Sequence, residues 1–319
     1  MMTPTLIFLW FLGTSALMAL SSSSLFLLWI CLEINMMSFI PLMYSKNYIA
    51  MNSTLLYFLT QSSASSIYIL AALMLYFNPS FMSFSMILVM ITMLIKLGAA
   101  PFHIWFPKIS EGLDFNSLAI LLTVQKMIPL HIMSLLKNKF LVIFIIISAL
   151  VGSLGGFTQF TLRKILAFSS ISHLAWMLSL LLLCSNFWLI YLLIYSSIIW
   201  IMTNIMNIYN MNAFNSKSKK VNEVNLFMIV TLLSLGGMPP SVGFIMKWFS
   251  MKVIIYHLPT LMVPLILSTI INLFFYLRLA YVPMLKNFNS PKWEMMPFPL
   301  WIPLMIFQIS SIFFFIAQI

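Results

Sequence analysis

Apolar residues fill long, nearly continuous runs of this chain, and short polar segments separate them. Most runs are close to the roughly 20 residues that an α-helix needs to cross a bilayer. Strands of a membrane β-barrel would instead give short segments that alternate apolar and polar residues. The pattern predicts an all-α polytopic membrane protein of about eleven spans, at residues 3–20, 25–43, 54–77, 81–107, 115–136, 140–157, 166–185, 187–209, 224–251, 254–280 and 298–318.

Glycine and proline interrupt two of these spans at membrane depth. The span at 81–107 is interrupted by Gly-Ala-Ala-Pro at 98–101, and the span at 224–251 by Gly-Gly-Met-Pro-Pro at 236–240. Proline lacks an N–H group and its ring clashes with the preceding turn, so each segment predicts a broken helix. Backbone groups freed at this depth must be satisfied by protein or by a wet cavity.

The two breaks lie five spans apart, so their helices run through the membrane in opposite directions. This spacing predicts two inverted five-helix repeats within one membrane domain that covers residues 1–319. The first repeat is residues 1–136, the second is residues 139–285, and residues 298–319 form a final helix. Broken helices at corresponding positions of inverted repeats point to a transport site.

Composition agrees with a membrane protein and argues against nucleic-acid, metal and cofactor binding. Hydrophobic residues make up 62% of the 319 residues and charged residues only 7%, against roughly 25% charged in average soluble proteins. The net charge is +11, but the cations are scattered between apolar runs, so no nucleic-acid partner is expected. Two cysteines cannot make a four-cysteine zinc or iron–sulfur site. With four widely spread histidines, we predict no metal and no cofactor bound by this chain.

Four ionisable side chains lie deep inside predicted spans: Glu33, Lys96, Lys126 and Lys247. Each would cost about 2.5–3.5 kcal/mol if it faced lipid, so we expect a functional role for them. Burial favours the neutral form of a lysine, whereas a nearby carboxylate favours the charged form. These residues therefore predict a proton relay in which Glu33 near Lys96 controls the charge of that lysine. Sodium suits the site less, because lysine does not bind a hard cation.

Two histidines are further candidates for moving protons along the membrane plane. His103 follows the first break directly, and His173 lies in the span at 166–185 among serine hydroxyls. The ordinary pKa of imidazole lies near neutral pH, which suits proton transfer.

Basic residues in the predicted loops indicate the orientation of the chain. Nine loop lysines and arginines lie on the N-terminal side and three on the other side: Lys46, Lys108, Arg163, Lys164, Lys217, Lys219, Lys220, Lys286 and Lys292 against Lys137, Lys139 and Lys252. Because positive loops stay inside, the N-terminus is predicted to face the inner compartment and the C-terminus the outer one.

Five stretches together resemble NADH–ubiquinone oxidoreductase chain 2, a mitochondrially encoded family of antiporter-like subunits of respiratory complex I, here of the invertebrate type. They are residues 32–41 (LEINMMSFIP), 57–61 (YFLTQ), 96–107 (KLGAAPFHIWFP), 162–176 (LRKILAFSSISHLAW) and 234–248 (SLGGMPPSVGFIMKW). The stretches occur in family order and are spread along the chain from residue 32 to residue 248. The resemblance therefore covers the predicted breaks and most of the buried charges.

The resemblance implies a proton-translocating subunit in the membrane arm of NADH:ubiquinone reductase, with no redox centre of its own. Glu33 and Lys96 match the family's glutamate–lysine pair, Lys126 its central lysine, and Lys247 the lysine of the second broken helix. FMN, the iron–sulfur clusters and the reactions of NADH and ubiquinone would belong to other subunits.

The resemblance also implies a place in the cell and neighbours in the complex. The chain would cross the mitochondrial inner membrane many times, with its N-terminus in the matrix and its C-terminus in the intermembrane space. Chains 4L and 4 would lie beside it, and phospholipid such as cardiolipin would surround it. Two other functions stay open: a stand-alone cation/proton antiporter of the same fold, and a purely structural spacer whose buried charges are inert.

Overall fold

The structure is a computed structural model that describes residues 2–77, 82–136, 138–183, 186–208, 222–239 and 241–288. The span predicted at 298–318 lies outside these residues. Throughout the described ranges the regular structure is helical, which confirms the all-α prediction. The helices are α1 (Met2–Ser21), α2 (Leu25–Met43), α3 (Tyr48–Phe77), α4 (Met82–Leu97), α5 (Trp105–Gly112), α6 (Phe115–Leu122), α7 (Val124–Leu135), α8 (Leu141–Phe157), α9 (Leu162–Leu182), α10 (Phe187–Ile208), α11 (Asn222–Gly236), α12 (Val242–His257) and α13 (Met262–Phe288).

Several of these helices meet the requirements for crossing a membrane. In the described part of the chain, six segments are long and apolar enough to span one: Leu25–Met43, Tyr48–Phe77, Phe115–Leu135, Leu162–Leu182, Phe187–Asn207 and Pro259–Tyr281. Three shorter helical segments, Thr5–Ser21, Met82–Leu97 and Leu141–Phe157, are also apolar. Large apolar side chains such as Leu17, Phe77 and Tyr256 are exposed on the outside. Exposed apolar side chains are compatible with the hydrocarbon core of a bilayer, so this surface suits lipid rather than water.

The first predicted break is present between α4 and α5. Gly98 adopts a φ of +67°, a left-handed conformation that glycine tolerates because it has no Cβ. Two side chains then satisfy carbonyls in the last turn of α4. The Trp105 indole donates to the Ile95 carbonyl at 3.1 Å, and the Gln61 amide donates to the Lys96 carbonyl at 3.5 Å. The break is therefore sealed by neighbouring side chains at membrane depth.

The second predicted break separates α11 from α12. Gly237 has a φ of +83°, and α12 begins at Val242, directly against the end of α11. A Cβ added to Gly243 would lie 1.7 Å from the Ser234 carbonyl oxygen, so only glycine permits this approach. Helix α12 continues to His257, beyond the boundary predicted at 251–254, and a 3₁₀ turn from Pro259 to Leu261 leads into α13.

A third interruption lies within the predicted span 115–136, which the sequence treats as one helix. The chain leaves helical geometry at Thr123, with φ −120° and ψ −75°, and separates α6 from α7. The Thr123 hydroxyl donates to the Ala119 carbonyl at 2.7 Å. Its N–H is shared between the carbonyls of Ala119 and Ile120, at 3.1 and 3.3 Å. This distortion places Lys126 in the first turn of α7.

Helix α9 lies at the centre of the described helices and brings the two breaks together. It is buried along nearly its whole length, and it packs closely against α8, where Gly152 lies against its backbone. A Cβ on Gly152 would lie 2.6 Å from the Ser172 nitrogen, so a small residue is needed for this helix contact. Because α5, α7 and α12 all contact α9, its polar residues lie close to the helices that carry Lys126 and Lys247.

Candidate functional site

Lys96 and Lys126 line the same internal cavity, although 30 residues separate them in the sequence. The cavity has about 20 Å³ of space open to the centre of a water molecule. This is enough for roughly one water. Its other polar walls come from Asn35 on α2, Tyr57 and Gln61 on α3, and Gln125 on α7. The structure therefore brings two of the predicted relay lysines to one polar space.

Hydrogen bonds between buried side chains fix the polar walls of this cavity. The Tyr57 hydroxyl donates to Gln125 Oε1 at 3.1 Å, and Gln125 Nε2 donates to Asn35 Oδ1 at 2.7 Å. Gln61 donates to the backbone of Lys96, as described above. Buried polar groups are costly unless they have partners. These bonds join α2, α3, α4 and α7, and they hold the cavity in one shape.

These four side chains were not predicted as site residues from the sequence. Asn35 lies two residues after Glu33, and Gln125 directly precedes Lys126, within the same apolar runs. An amide or phenol group at membrane depth is itself a functional signal. A search for polar residues close to Glu33 and Lys126 would have identified Asn35 and Gln125.

Lys126 is held mainly by aromatic rings and by a single backbone oxygen. Its side chain is only 2% exposed. Nζ donates to the Ser170 carbonyl on α9 at 3.2 Å, and it lies 5.6 and 5.3 Å from the ring centroids of Phe106 and Tyr195. Aromatic faces attract a cation without accepting a proton from it. Among the described residues no carboxylate forms an ion pair with Lys126, so these rings and the Ser170 carbonyl provide the attraction for its charge.

Lys96 and Glu33 are coupled by charge and not by contact. Lys96 is 6% exposed, and Glu33 on α2 is partly buried. The Glu33 carboxylate acts electrostatically on Lys96. Among the described residues, the salt bridge that forms joins Lys164 to Glu111 at 2.7 Å, and none joins Glu33 to Lys96. No contact between Glu33 and Lys96 is described, and the role of Glu33 in controlling the charge of Lys96 stays a prediction.

Lys247 lies at the second break and satisfies the backbone there. Its side chain is 4% exposed, and Nζ donates to the carbonyls of Leu235 at 3.3 Å and Gly236 at 2.9 Å. Both carbonyls belong to the last turn of α11, where a helix carries partial negative charge. A Cβ on Gly237 would lie 3.0 Å from the Lys247 Nζ, so glycine also leaves room for the ammonium group. A second cavity of about 160 Å³ adjoins this lysine on the side of α13.

The two histidines take different positions. His173 is 1% exposed, and it lies close enough to both Lys126 and Lys247 for their charges to act on it. Its Nδ1 is 2.8 Å from the Tyr191 hydroxyl. His103 is partly buried beside the first break, where its Nδ1 lies 3.2 Å from the Pro101 carbonyl oxygen. Its described contacts do not reach the lysines, and it lines neither cavity.

The fold and the site define an all-helical membrane chain in which buried lysines lie beside broken helices. A family model described as NADH:quinone oxidoreductase/Mrp antiporter, TM, matches residues 22–273. A relative named NADH-ubiquinone oxidoreductase chain 2, from Anopheles gambiae, is 42% identical over 303 residues, which cover 90% of this chain and 88% of the relative. The chain therefore belongs to the NADH-ubiquinone oxidoreductase chain 2 family.

Solved structures share the fold at low sequence identity. A chain of respiratory complex I from Thermus thermophilus has a TM-score of 0.81 and 19% identity, and the match covers 98% of this chain and 77% of that chain. A chain of the archaeal membrane-bound sulfane sulfur reductase has a TM-score of 0.82 and 15% identity, covering 95% and 71% respectively. At these identities the likeness shows the antiporter-like fold alone.

Proposed function

We propose that this chain is a proton-translocating subunit in the membrane arm of respiratory complex I. One observation carries the proposal: Lys96 and Lys126 line a single cavity that also has amide and phenol groups in its walls. A structural spacer gains nothing from burying two lysines around shared space, since each costs several kcal/mol in hydrocarbon. Electron transfer from NADH to ubiquinone, with its FMN and iron–sulfur clusters, belongs to other subunits, and this chain carries no redox centre.

The proposed path runs along the membrane plane from Lys96 to Lys247, and Glu33 acts on its first member. A proton moves from Lys96 to Lys126 through the cavity, where a water fits between the walls. From Lys126 it passes to His173, which feels the charge of both neighbouring lysines. Lys247 receives it at the second break. Each step transfers a proton between nitrogen atoms, so no change of oxidation state is required. His103 is a candidate for entry to this path at the first break.

Charge repulsion gives the path its coupling. Two ammonium groups close together in a medium of low dielectric constant repel each other strongly, so a proton on Lys96 disfavours one on Lys126. Glu33 offsets that repulsion when its carboxylate is near Lys96. Events at the quinone site elsewhere in the complex would act by moving that carboxylate or its counter-charge.

The finer architecture is also part of this proposal. The chain has about eleven spans, in two inverted repeats at 1–136 and 139–285 and a final helix at 298–319. It lies in the mitochondrial inner membrane with its N-terminus in the matrix and its C-terminus in the intermembrane space. Chains 4L and 4 are its neighbours, and cardiolipin fills the lipid contacts. The two described breaks, at Gly98 and Gly237, support the repeat.

A stand-alone cation/proton antiporter is the second candidate, because the matching family model covers Mrp antiporters as well. Gentle purification separates the two functions. We expect this chain to co-migrate in one particle with flavin, iron–sulfur subunits and NADH:ubiquinone activity, as measured by native electrophoresis and in-gel NADH oxidation. Recovery of the chain in a small particle that exchanges cations for protons and lacks NADH oxidation would support the antiporter instead.

Glu33→Gln is expected to weaken proton pumping by releasing the electrostatic hold on Lys96. The substitution removes the charge and keeps the shape, so assembly should not change. Proton pumping and NADH oxidation would be measured together in liposomes, as a proton-to-electron ratio. Glu111→Gln is the matched control, because Glu111 pairs with Lys164 at an exposed position, where a salt bridge contributes little.

A double variant separates true coupling from two independent effects. If Glu33 acts through Lys96, then Glu33→Gln should add little in a chain that already carries Lys96→Met. Effects that simply add would show that the two residues work separately.

A further inference from the structure

His173 is held by a hydroxyl on the neighbouring helix α10. Its Nδ1 lies 2.8 Å from the Tyr191 hydroxyl oxygen, and both side chains are buried. Tyr195, one turn along α10, also packs against the imidazole, with ring centroids 4.9 Å apart. The described contacts give Tyr191 the hydrogen bond to His173 and give Tyr195 only a ring contact.

The other imidazole nitrogen, Nε2, is buried and has no hydrogen-bond partner among the described residues. The Leu235 carbonyl lies near the imidazole ring at the second break. That carbonyl already accepts a hydrogen bond from Lys247 Nζ. The two nitrogens lie on different edges of the ring, so a bond that fixes Nδ1 also fixes the direction of Nε2.

We propose that Tyr191 is a positioning residue for proton transfer: its hydroxyl holds Nδ1 of His173 so that Nε2 faces Lys247 at the second break. This inference rests on the proposed relay, in which His173 carries protons between Lys126 and Lys247. It assigns a role to a residue that takes up no proton itself.

A hydroxyl suits this task because it can accept from Nδ1 in both protonation states of the ring. In neutral His173 with its proton on Nδ1, Nδ1 donates to the Tyr191 oxygen, and Nε2 has a lone pair that takes up the relayed proton. When Nε2 gains that proton, Nδ1 still donates to Tyr191. The hydrogen bond therefore survives both states, and the ring keeps its direction while the proton comes and goes.

Tyr191→Phe tests this proposal in the assembled complex. It removes one oxygen and keeps the ring, and we expect the rate of coupled proton pumping to fall about fivefold, the factor that corresponds to one neutral hydrogen bond. Tyr68→Phe is the matched control. Tyr68 is also buried, and its hydroxyl donates to the Leu25 carbonyl at 3.1 Å, away from the lysines. Equal pumping in Tyr191→Phe and wild type would overturn the proposal.

Two further measurements distinguish positioning from packing. In a His173→Gln background, Tyr191→Phe should cause no further loss of pumping, whereas a packing role would give an added loss. If the Phe variant fails to assemble, Tyr191→Gln and Tyr191→Leu provide the test, because only the amide can still bond to Nδ1. Better pumping by Gln than by Leu supports the proposal, and equal pumping contradicts it.

The same experiments separate this inference from the relay itself. Normal pumping by His173→Gln together with defective pumping by Lys126→Met would refute the role of Tyr191 and leave the lysine relay standing. Normal pumping by both variants would refute the relay.

Discussion

Lys126→Met is expected to abolish coupled proton pumping, or to lower its rate on the order of a hundredfold, while the complex still assembles. A positioned group that takes up and releases a proton typically contributes a factor of that size. Methionine has nearly the same length, fills the same apolar surroundings and cannot carry a proton. The proton-to-electron ratio in liposomes is the measurement, because it separates pumping from the rate of NADH oxidation.

The fold should survive this substitution for a local reason. The acceptor of Lys126 is the Ser170 carbonyl, which lies inside the helix α9 and has a helical partner of its own. Removing the ammonium group therefore leaves no orphaned carbonyl, and it removes a charge from a buried site. Lys108→Met is the control, since Lys108 is exposed on α5. A normal proton-to-electron ratio in an assembled Lys126→Met complex would contradict the relay.

The sequence predicts the scaffold of this chain well because its signals are local. The apolar residues around Gly98 and Gly237 predict membrane helices, and the glycine and proline within the same segments predict where those helices break. A charge inside a membrane span is costly, so Lys96, Lys126 and Lys247 can be identified as functional candidates from the sequence alone. These features need no knowledge of which helices are neighbours.

Features that depend on neighbours were not predictable in this way. The distortion at Thr123 has no glycine or proline to mark it, and there the threonine hydroxyl and N–H both donate to the Ala119 carbonyl. The cavity is built from Asn35, Tyr57 and Gln125 on three helices, and the hydrogen bonds that join them span up to 90 residues of sequence. The sequence predicts that Glu33 pairs with Lys96. Whether their side chains touch depends on the distance between α2 and α4, which sequence spacing does not give.

The two breaks use lysine in different ways. Lys96 precedes its break, and its own carbonyl is satisfied by Gln61. Lys247 follows its break and bonds back to carbonyls 11 and 12 residues earlier. The second lysine is therefore part of the structure of its break, whereas the first is free to face the cavity. Substitutions at the two positions should differ accordingly.

Lys247→Met is expected to impair both pumping and stability. It leaves the carbonyls of Leu235 and Gly236 without the ammonium donor, and hydrogen bonds to a charged group are worth about 1.5–3 kcal/mol. We expect a lower midpoint of thermal unfolding for the assembled complex, together with a strongly reduced proton-to-electron ratio. Lys252→Met, one and a half turns along α12, is the control: Lys252 is exposed and lies over the Trp248 ring at 3.6 Å.

Lys247→Arg then separates the two roles of this residue. Arginine keeps the positive charge and the donors for the break, but it does not lose its proton in proteins. If Lys247 only stabilises the break, the arginine variant should pump as the wild type does. If Lys247 carries protons, the arginine variant should keep most of the thermal stability and still fail to pump. A variant that is as unstable as Lys247→Met but pumps normally would contradict both roles, because neither the break nor the relay would then depend on the lysine.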